Sequence, residues 1–413
     1  MANWRTVEGG VTAPKGFRAA GIAAGLKPSG APDLALIMSE TEAIAAGVYT
    51  LSQVRAACVD YCQQRLEAKA TAQAILVNAG QANACTGPQG WKDAIASAEA
   101  VAQALNLPVE SVLVASTGVI GQRIRMDALL AGVPSLVAAL SPEGSADAAQ
   151  AIVTTDLKPK SIALEMRLGD RPVRIGGIAK GSGMIHPNMA TMLAFMTCDA
   201  TVSSPLWQAM LHRAIAGTFN QITVDGDTST NDCVLALANG ESRTPAITEP
   251  GPEADQLEAM LTAACEFLAK AIARDGEGAT CLIEVEVTGA PDEAAARQIA
   301  RTIAGSSLTK SAIFGRDPNW GRIAGAAGRA GIPFDQGDLR VQLGDFVLLE
   351  HGQPLSFDRA AASDYLKQAA AGDYLKTDTV RIVVGVGHGP GSGLAWGCDL
   401  SYDYVRINAE YTT

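Results

Sequence analysis

The sequence has no run of lysine or arginine and few positive charges overall. Its 413 residues include 43 acidic and 32 basic side chains, which gives a formal net charge of −11 at pH 7. A protein of this charge repels nucleic acid and anionic membranes, because no basic segment offsets it. The composition therefore argues against both as partners and favours small metabolites.

Long hydrophobic runs are also missing. No uninterrupted apolar stretch reaches the roughly 20 residues that span a bilayer, although 48% of the residues are hydrophobic. Residues 1–6 do not form the apolar region of a secretion signal. We therefore expect a cytoplasmic protein with no membrane partner. Its length exceeds the size at which one core usually stops growing, which predicts two or three subdomains.

Patterns that bind metals are scarce. The four histidines show no ligand spacing to one another, and the eight cysteines are scattered. Only Cys58 and Cys62 are close, and their i,i+4 spacing falls on the apolar stripe of a predicted helix. Core packing explains that pair, and no second Cys or His pair completes a zinc site. No metal is predicted.

The glycine-rich segments do not match nucleotide or hydrolase motifs. Residues 176–183 place Lys before Gly-Ser, whereas a Walker A loop requires Gly-Lys-Ser/Thr. Residues 385–393 contain no G-x-G-x-x-G and are predicted to turn tightly between strands, and no G-x-S-x-G elbow surrounds the serine of either segment. Asp225, Asp227 and Asp232 lack the spacing and terminal Glu of an EF-hand, so a hydrogen-bonded structural loop is predicted there.

The order of apolar patterns predicts an α/β protein of mixed sheets with helices packed on them. In the N-terminal half, two buried-strand patterns each end in a polar loop and precede a helix, and ligand sites favour such strand ends. The predicted strands are 74–77, 112–115, 281–287, 339–343, 380–386 and 398–407, and the predicted helices are 91–105, 126–140, 206–219 and 254–272. Segments 241–256 and 288–293 are the candidate subdomain joints.

The segment from Lys180 to Phe195 suggests a protein that cuts its own chain between Ala190 and Thr191. A threonine hydroxyl needs a base beside it, and an N-terminal threonine supplies one from its own α-amine. That amine exists only after the bond before Thr191 is broken. The glycines and Pro187 upstream permit the unusual backbone angles that an attack on the preceding carbonyl needs. The alternative is an ordinary glycine-rich loop that runs into a buried strand.

Six further segments accompany this one in a fixed order along the chain. Together the seven closely resemble the ornithine acetyltransferases of arginine biosynthesis, also called glutamate N-acetyltransferases. The six are Gly10–Phe17, Asn78–Gly87, Ser116–Gln122, Thr223–Asp232, Gly315–Arg322 and Ile407–Thr413. They extend from residue 10 to the last residue, so the resemblance covers essentially the whole chain.

The resemblance implies a self-processing acyltransferase. Residues 1–190 and 191–413 would be its interlocked α and β chains, which would assemble further into an α2β2 heterotetramer. Acetyl would pass from N²-acetylornithine to Thr191 and then to glutamate in a ping-pong cycle that yields ornithine and N-acetylglutamate. Some members also use acetyl-CoA as a donor, but the sequence has no recognisable CoA motif, and no cofactor is expected.

The resemblance also assigns residues to the site. Thr117 and Gly118 would form the oxyanion hole, since a hydroxyl and a backbone N–H at a strand end can point at one oxygen; the alternative for this pair is a plain turn. Lys180 would pair with a carboxylate and Glu277 with an ammonium group; the alternative for Glu277 is an ordinary exposed carboxylate in a loop. The implied substrate-binding residues are Thr154, Lys180, Thr191, Glu277, Asn408 and Thr413.

Two other classes of function stay open. The same Thr191 chemistry with water as acceptor would make an N-terminal-nucleophile aminopeptidase or amidase, and the amino-acid dependence of acetyl release would separate it from a transferase. An uncleaved chain would be a protein that only holds amino acids. An intact 42.6 kDa band under denaturing conditions would support that alternative.

Overall fold

The computed structural model describes residues 4–186 and 192–410. Within them the chain forms two mixed β-sheets with helices packed on them, as the sequence predicts. The strands, in chain order β1 to β15, are Trp4–Thr6, Phe17–Ile22, Leu34–Tyr49, Thr71–Gln81, Val112–Val119, Lys160–Leu168, Arg171–Lys180, Leu193–Cys198, Cys233–Ala238, Leu282–Ala290, Arg340–Leu343, Phe346–Glu350, Gln353–Pro354, Thr379–Gly385 and Gly391–Cys398. The α-helices, in chain order α1 to α11, are Ala57–Ala68, Gly87–Leu105, Met126–Ala138, Ser145–Ala151, Ser204–Gly217, Pro252–Arg274, Glu293–Ala304, Ser307–Phe314, Trp320–Gly328, Arg359–Ala370 and Tyr402–Glu410. Short 3-10 helices lie at Gly10–Thr12, Val109–Ser111, Phe219–Gln221 and Gln336–Asp338.

The larger sheet has nine strands. Its order is β1-β6-β7-β8-β9-β3-β4-β5, with β2 paired to β3. The pairs β4–β5 and β8–β9 are parallel, whereas the other neighbours are antiparallel. Strands β8 and β9, which follow residue 191 in the chain, therefore lie between β7 and β3, which precede it.

Both faces of the larger sheet are covered by helices. In β8, Leu193 and Phe195 pack into a core with helices α1 to α4, while Ala194 and Met196 pack into a second core with α5 and α6. Because side chains alternate between the two faces of a strand, a strand buried on both faces carries an uninterrupted apolar run. This explains why residues 192–196 contain no polar side chain.

The smaller sheet has six strands in the order β13-β12-β11-β14-β10-β15. A third core lies between it and helices that include α7, α9 and α10. Helix α6 ends at Arg274 and β10 begins at Leu282, so the chain passes from the larger to the smaller sheet within residues 275–281. The predicted joints lie elsewhere, because 241–256 leads from β9 into α6 and 288–293 leads from β10 into α7.

The other predicted strands and helices are confirmed with shifted ends, but the predicted strand 398–407 is wrong. Strand β15 ends at Cys398, and Tyr402–Glu410 form α11. The apolar residues of that segment do not face a core, since Tyr402 is 85% and Val405 65% exposed. Among the helices of residues 4–186 and 192–410, none combines the length and the apolar composition of a membrane span.

Candidate active site

One cavity brings together the predicted site residues that the structure describes. Strand β5 supplies Thr117 and Gly118, the end of β7 supplies Lys180, and Thr154 follows α4. The loop that connects α6 to β10 supplies Glu277, and α11 supplies Asn408. All of them line a cavity of about 140 Å³. The six positions are spread over 292 residues of sequence, and the fold places them around one space.

Thr117 and Gly118 lie near the end of β5, where its pairing with β4 becomes irregular. Gly118 has a φ of 128°, which favours glycine. A Cβ at this position would also lie 2.3 Å from the carbonyl carbon of Gly80, so no other residue fits without moving the backbone. Position 118 therefore requires glycine, and the backbone of this glycine lies at the cavity wall.

Lys180 is the cation of the cavity wall. Its Nζ lies 3.3 Å from Thr117 Oγ1 and 4.0 Å from Asp156 Oδ2. Burial lowers the pKa of Lys180, while Asp156 opposes that shift. A lysine in this setting holds its charge less firmly than a surface lysine, and a carboxylate entering the cavity would favour its charged form.

A buried ion cluster supports this wall, and sequence reasoning did not find it. Lys160 Nζ lies 2.7 Å from Asp156 Oδ1 and 2.6 Å from Asp275 Oδ2, and all three side chains are at most 3% exposed. Burial alone would raise the pKa of Asp156, but Lys160 and Lys180 outweigh it and hold that pKa well below its usual range. Burial raises the pKa of Asp275.

Backbone contacts connect this cluster to the segment that leads toward residue 191. Asp156 Oδ1 accepts a hydrogen bond from the N–H of Gly181 at 2.7 Å. Ser182 Oγ donates to the carbonyl oxygen of Asp275 at 2.7 Å, and the carbonyl oxygen of Ser182 accepts from the N–H of Glu277. The cluster therefore fixes the start of this segment and the position of Glu277 together.

Glu277 is a buried acceptor that lines the same cavity. Its Oε2 accepts from Asn408 Nδ2 at 2.7 Å, which ties α11 to the cavity. A Cβ at position 183 would lie 2.5 Å from Glu277 Oε1, so Gly183 leaves the space that this carboxylate occupies. The contact explains why a helix without a buried face still carries a predicted site residue.

Two aspartates of the segment 225–232, Asp225 and Asp232, have different environments. Asp225 is the predicted structural acceptor, since its carboxylate accepts from the N–H groups of Met184 and Ile185 at 2.6 and 2.8 Å. Asp232 is different: it is buried, it lines the cavity, and its Oδ2 has no hydrogen-bond partner among the residues that the structure describes. Burial holds the pKa of Asp232 well above its usual range.

The cleavage and nucleophile predictions fall on residues that are not described. Ala190, Thr191 and Thr413 lie outside the described residues, so their places in the site stay predictions. Met192, the first described residue after the gap, is 4% exposed and lines the cavity beside Lys180 and Asp232. The next residue begins β8, so the chain enters the larger sheet directly from the cavity wall.

His186 lies at the edge of this region with a pKa far from its ordinary value. Its Nδ1 is 2.9 Å from Thr223 Oγ1. Burial, with a smaller contribution from the charge of Arg301, lowers the pKa of His186 to about 4. The imidazole is therefore neutral at pH 7, and the folded protein resists its protonation.

We expect His186→Asn to flatten the dependence of stability on pH. Between the folded pKa of about 4 and the ordinary value of 6.5, the unfolded chain binds more protons at this group than the folded chain. The group's contribution is therefore complete above pH 6.5 and is lost as the pH falls toward 4. Unfolding midpoints across this window would show a shallower decline for the variant. His388→Asn, at a side chain that is 92% exposed, is the control; equal slopes for His186→Asn and wild type would contradict the prediction.

Comparison with known proteins decides the family. The ArgJ family model matches residues 18–413. The chain belongs to the ArgJ family. An arginine biosynthesis bifunctional protein ArgJ from a Nostoc species is 74% identical over 413 residues, which is all of both chains. A protein of the same name from Synechocystis is 71% identical over the full length of both, and a chloroplastic ArgJ from Populus trichocarpa is 58% identical over 99% of this chain and 85% of its own.

Two solved structures, one of an ArgJ protein and one of an ornithine acetyltransferase, are also similar. The ArgJ chain, from Bacillus halodurans, is 46% identical, with a TM-score of 0.49, over 52% of this chain and 97% of its own. The ornithine acetyltransferase chain, from Mycobacterium tuberculosis and complexed with ornithine, is 46% identical with a TM-score of 0.42. It matches 45% of this chain and all of its own length.

Proposed function

We propose that this ArgJ-family protein is an arginine-biosynthesis enzyme that moves an acetyl group from N²-acetylornithine to glutamate. The observation that carries the proposal is the convergence of Thr117, Gly118, Lys180 and Glu277 on one cavity next to Met192. A hydroxyl, a cation and a carboxylate around one small space suit a substrate that carries an amide, a carboxylate and an ammonium group. Acetylornithine has all three.

The reaction needs a nucleophile, a base and donors for the oxyanion. In the proposed first half-reaction, the α-amine of Thr191 takes the proton of its own hydroxyl as Oγ attacks the acetyl carbonyl. Thr117 Oγ1 and the N–H of Gly118 would donate to the oxygen that becomes negative. The C–N bond then breaks, ornithine leaves with the proton, and an acetyl ester of Thr191 remains.

The second half-reaction runs the same steps with a different amine. The α-amine of glutamate attacks the ester carbonyl, the C–O bond to Thr191 breaks, and the hydroxyl regains its proton. N-acetylglutamate is the product. Lys180 is suited to bind the carboxylate of either substrate, and Glu277, held by Asn408 at 2.7 Å, is suited to receive the ammonium group of ornithine. Thr154, which lines the cavity, and Thr413 complete the proposed binding set.

Self-cleavage before Thr191 would free the amine on which the mechanism depends, and residues 1–190 and 191–413 would remain together as α and β chains. Two such pairs would form the α2β2 heterotetramer. Acetyl-CoA is proposed only as an additional donor, which would acetylate Thr191 in place of acetylornithine.

The deciding experiment incubates the pure protein with acetylornithine and glutamate and identifies the products. A ping-pong transferase gives parallel initial-rate plots when glutamate is varied at several acetylornithine concentrations. Without glutamate, one equivalent of ornithine should appear in a burst, and the β chain should gain the mass of one acetyl group. Continued release of ornithine and acetate at the full rate would make water the acceptor and refute the transferase. A parallel incubation with acetyl-CoA and glutamate tests the second donor.

Thr117→Ala should lower kcat about 10²-fold or more with a smaller effect on KM. The lost donor matters most when charge develops on the oxygen, which is the usual behaviour of an oxyanion-hole residue. Thr117→Ser, which keeps the hydroxyl, is the matched control and should retain most of the rate. Initial rates with both substrates varied separate kcat from KM. A near-normal kcat in a folded Thr117→Ala protein would leave Thr117 as a turn residue that contacts Lys180.

A further inference from the structure

A second, larger cavity lies beside the candidate active site. It has a volume of about 700 Å³, within the range typical of small-molecule sites. Two short segments separate the cavities: Met184 and Ile185 line the first and His186 the second, and Asp225 and Asp227 line the first while Gly226 lines the second. An occupant of the second cavity would contact the segment that leads toward residue 191.

The lining of this second cavity is positively charged. Helix α7 contributes Arg297 and Arg301, which are four residues apart and thus on one face, and Arg329 follows α9. No aspartate or glutamate is among the described residues that line it. In a chain with a net charge of −11, three arginines that line one cavity are a local departure from the overall charge.

Two of these arginines lack an acidic partner. Arg297 contacts Glu293, one turn earlier on α7. Within residues 4–186 and 192–410, however, no carboxylate lies within 4.0 Å of the guanidinium of Arg301 or Arg329. Arg301 Nη1 donates to the carbonyl oxygen of Asn220 at 3.3 Å, but its buried Nε has no hydrogen-bond partner among the described residues.

These features are costly unless something compensates for them. The charge of Arg297 is offset by Glu293, but the buried Nε of Arg301 has no partner among the described residues, and a buried donor without one costs about 1–3 kcal/mol. The positive charge of Arg301 also acts on His186, because it adds to the lowering of the pKa of His186 by burial. The fold does not depend on the arginine face of α7 for packing, because Ile299 and Ile303 on its other face pack into the third core.

We propose that this cavity is a binding site for the phosphate groups of a small ligand, distinct from the acetyl-transfer site. Guanidinium groups match phosphate oxygens with pairs of hydrogen bonds, which is why arginine is preferred for phosphate recognition. A ligand with at least two negative charges would contact Arg301 and Arg329, which come from different elements. The same chemistry fits a free pyrophosphate and the diphosphate of a nucleotide.

Titration calorimetry of the full-length protein at low salt, with pyrophosphate and separately with ADP, tests the site. At least one probe should bind with one site per chain, and the affinity should fall as salt is added. Arg329→Gln and Arg301→Gln should each weaken binding about tenfold. Tighter binding of ADP than of pyrophosphate would identify a nucleotide-type ligand, and equal binding would identify the free anion.

A matched control and a competition complete the design. Arg171→Gln removes an exposed arginine at the start of β7 and should bind as wild type does. Arg329 is exposed, so its variant is expected to fold and to keep its acetyl-transfer rate, which separates this proposal from the transferase. Absence of binding by both probes, equal affinities in wild type and both cavity variants, or displacement of the probe by acetylornithine would overturn the proposal.

Discussion

Thr191→Ala should leave the chain as a single 42.6 kDa polypeptide without acetyl-transfer activity. The wild type should instead run as two bands under denaturing conditions, each about half of that mass, and sequencing of the β chain should begin Thr-Met-Leu-Ala. Loss of a covalent nucleophile can cost on the order of 10⁶ in kcat. The substitution removes the hydroxyl for both cleavage and transfer, so both activities should disappear together.

Thr191→Ser is the matched control for this variant. It keeps a hydroxyl and, after cleavage, an α-amine beside it, so we expect two chains and measurable transfer at a reduced rate. Mass spectrometry of both variants with acetylornithine should find an acetyl adduct only in the serine protein. Cleavage at the same bond in Thr191→Ala would refute the self-cleavage hypothesis, and normal transfer by that variant would refute the nucleophile.

Lys160→Met should destabilise the protein by about 3–5 kcal/mol, since it leaves buried charge without a partner. Lys160 holds Asp156 and Asp275 at 2.7 and 2.6 Å, and all three are almost fully buried. Either Asp156 or Asp275 would then have to take up a proton, or water would have to enter the protein interior to solvate their charges. Because Asp156 also accepts from the N–H of Gly181, the start of the segment before residue 191 should loosen too.

Urea unfolding in the Thr191→Ala background measures this effect, since a single uncleaved chain avoids the dissociation of fragments. The control is Lys367→Met, which removes an exposed ion pair: the side chain of Lys367 is 61% exposed and that of its partner Asp364 is 59% exposed. Such a surface pair is worth about 0–1 kcal/mol. A Lys160→Met protein within about 1 kcal/mol of its parent would show that the cluster does not stabilise the fold as its burial suggests.

Local patterns predicted the elements that have one buried face or a short apolar run. Helix α6 and strand β10 were found because their apolar residues recur with the period of a helix or a strand. The predicted strand 398–407 is wrong from residue 402 on, where α11 begins; none of the residues of that helix is buried, so its apolar residues carry no information about packing. Its role is set by one long-range contact, between Asn408 and Glu277, which no local pattern encodes.

The site residues also differ in whether the sequence could indicate them. The resemblance to the ornithine acetyltransferases indicated Thr117, Gly118 and Lys180, and the fold brings these three residues together at one cavity. The supporting cluster was missed because Asp156 and Lys160, at i,i+4, look like an ordinary surface pair, and Asp275 lies 115 residues from Lys160. Their burial depends on long-range packing, which the spacing of charged residues along the chain does not encode.

The strand order of the larger sheet has a consequence for refolding. Strands β8 and β9 follow residue 191 and are held between β7 and β3, which precede it. In a cleaved molecule, one continuous sheet would thus be built from two separate polypeptides. Renaturation from denaturant would then be a second-order process whose yield rises with protein concentration, whereas the uncleaved Thr191→Ala chain would refold by a first-order process. An enzyme built in this way would be assembled once from its precursor, and after dissociation of its chains it would depend on their meeting again.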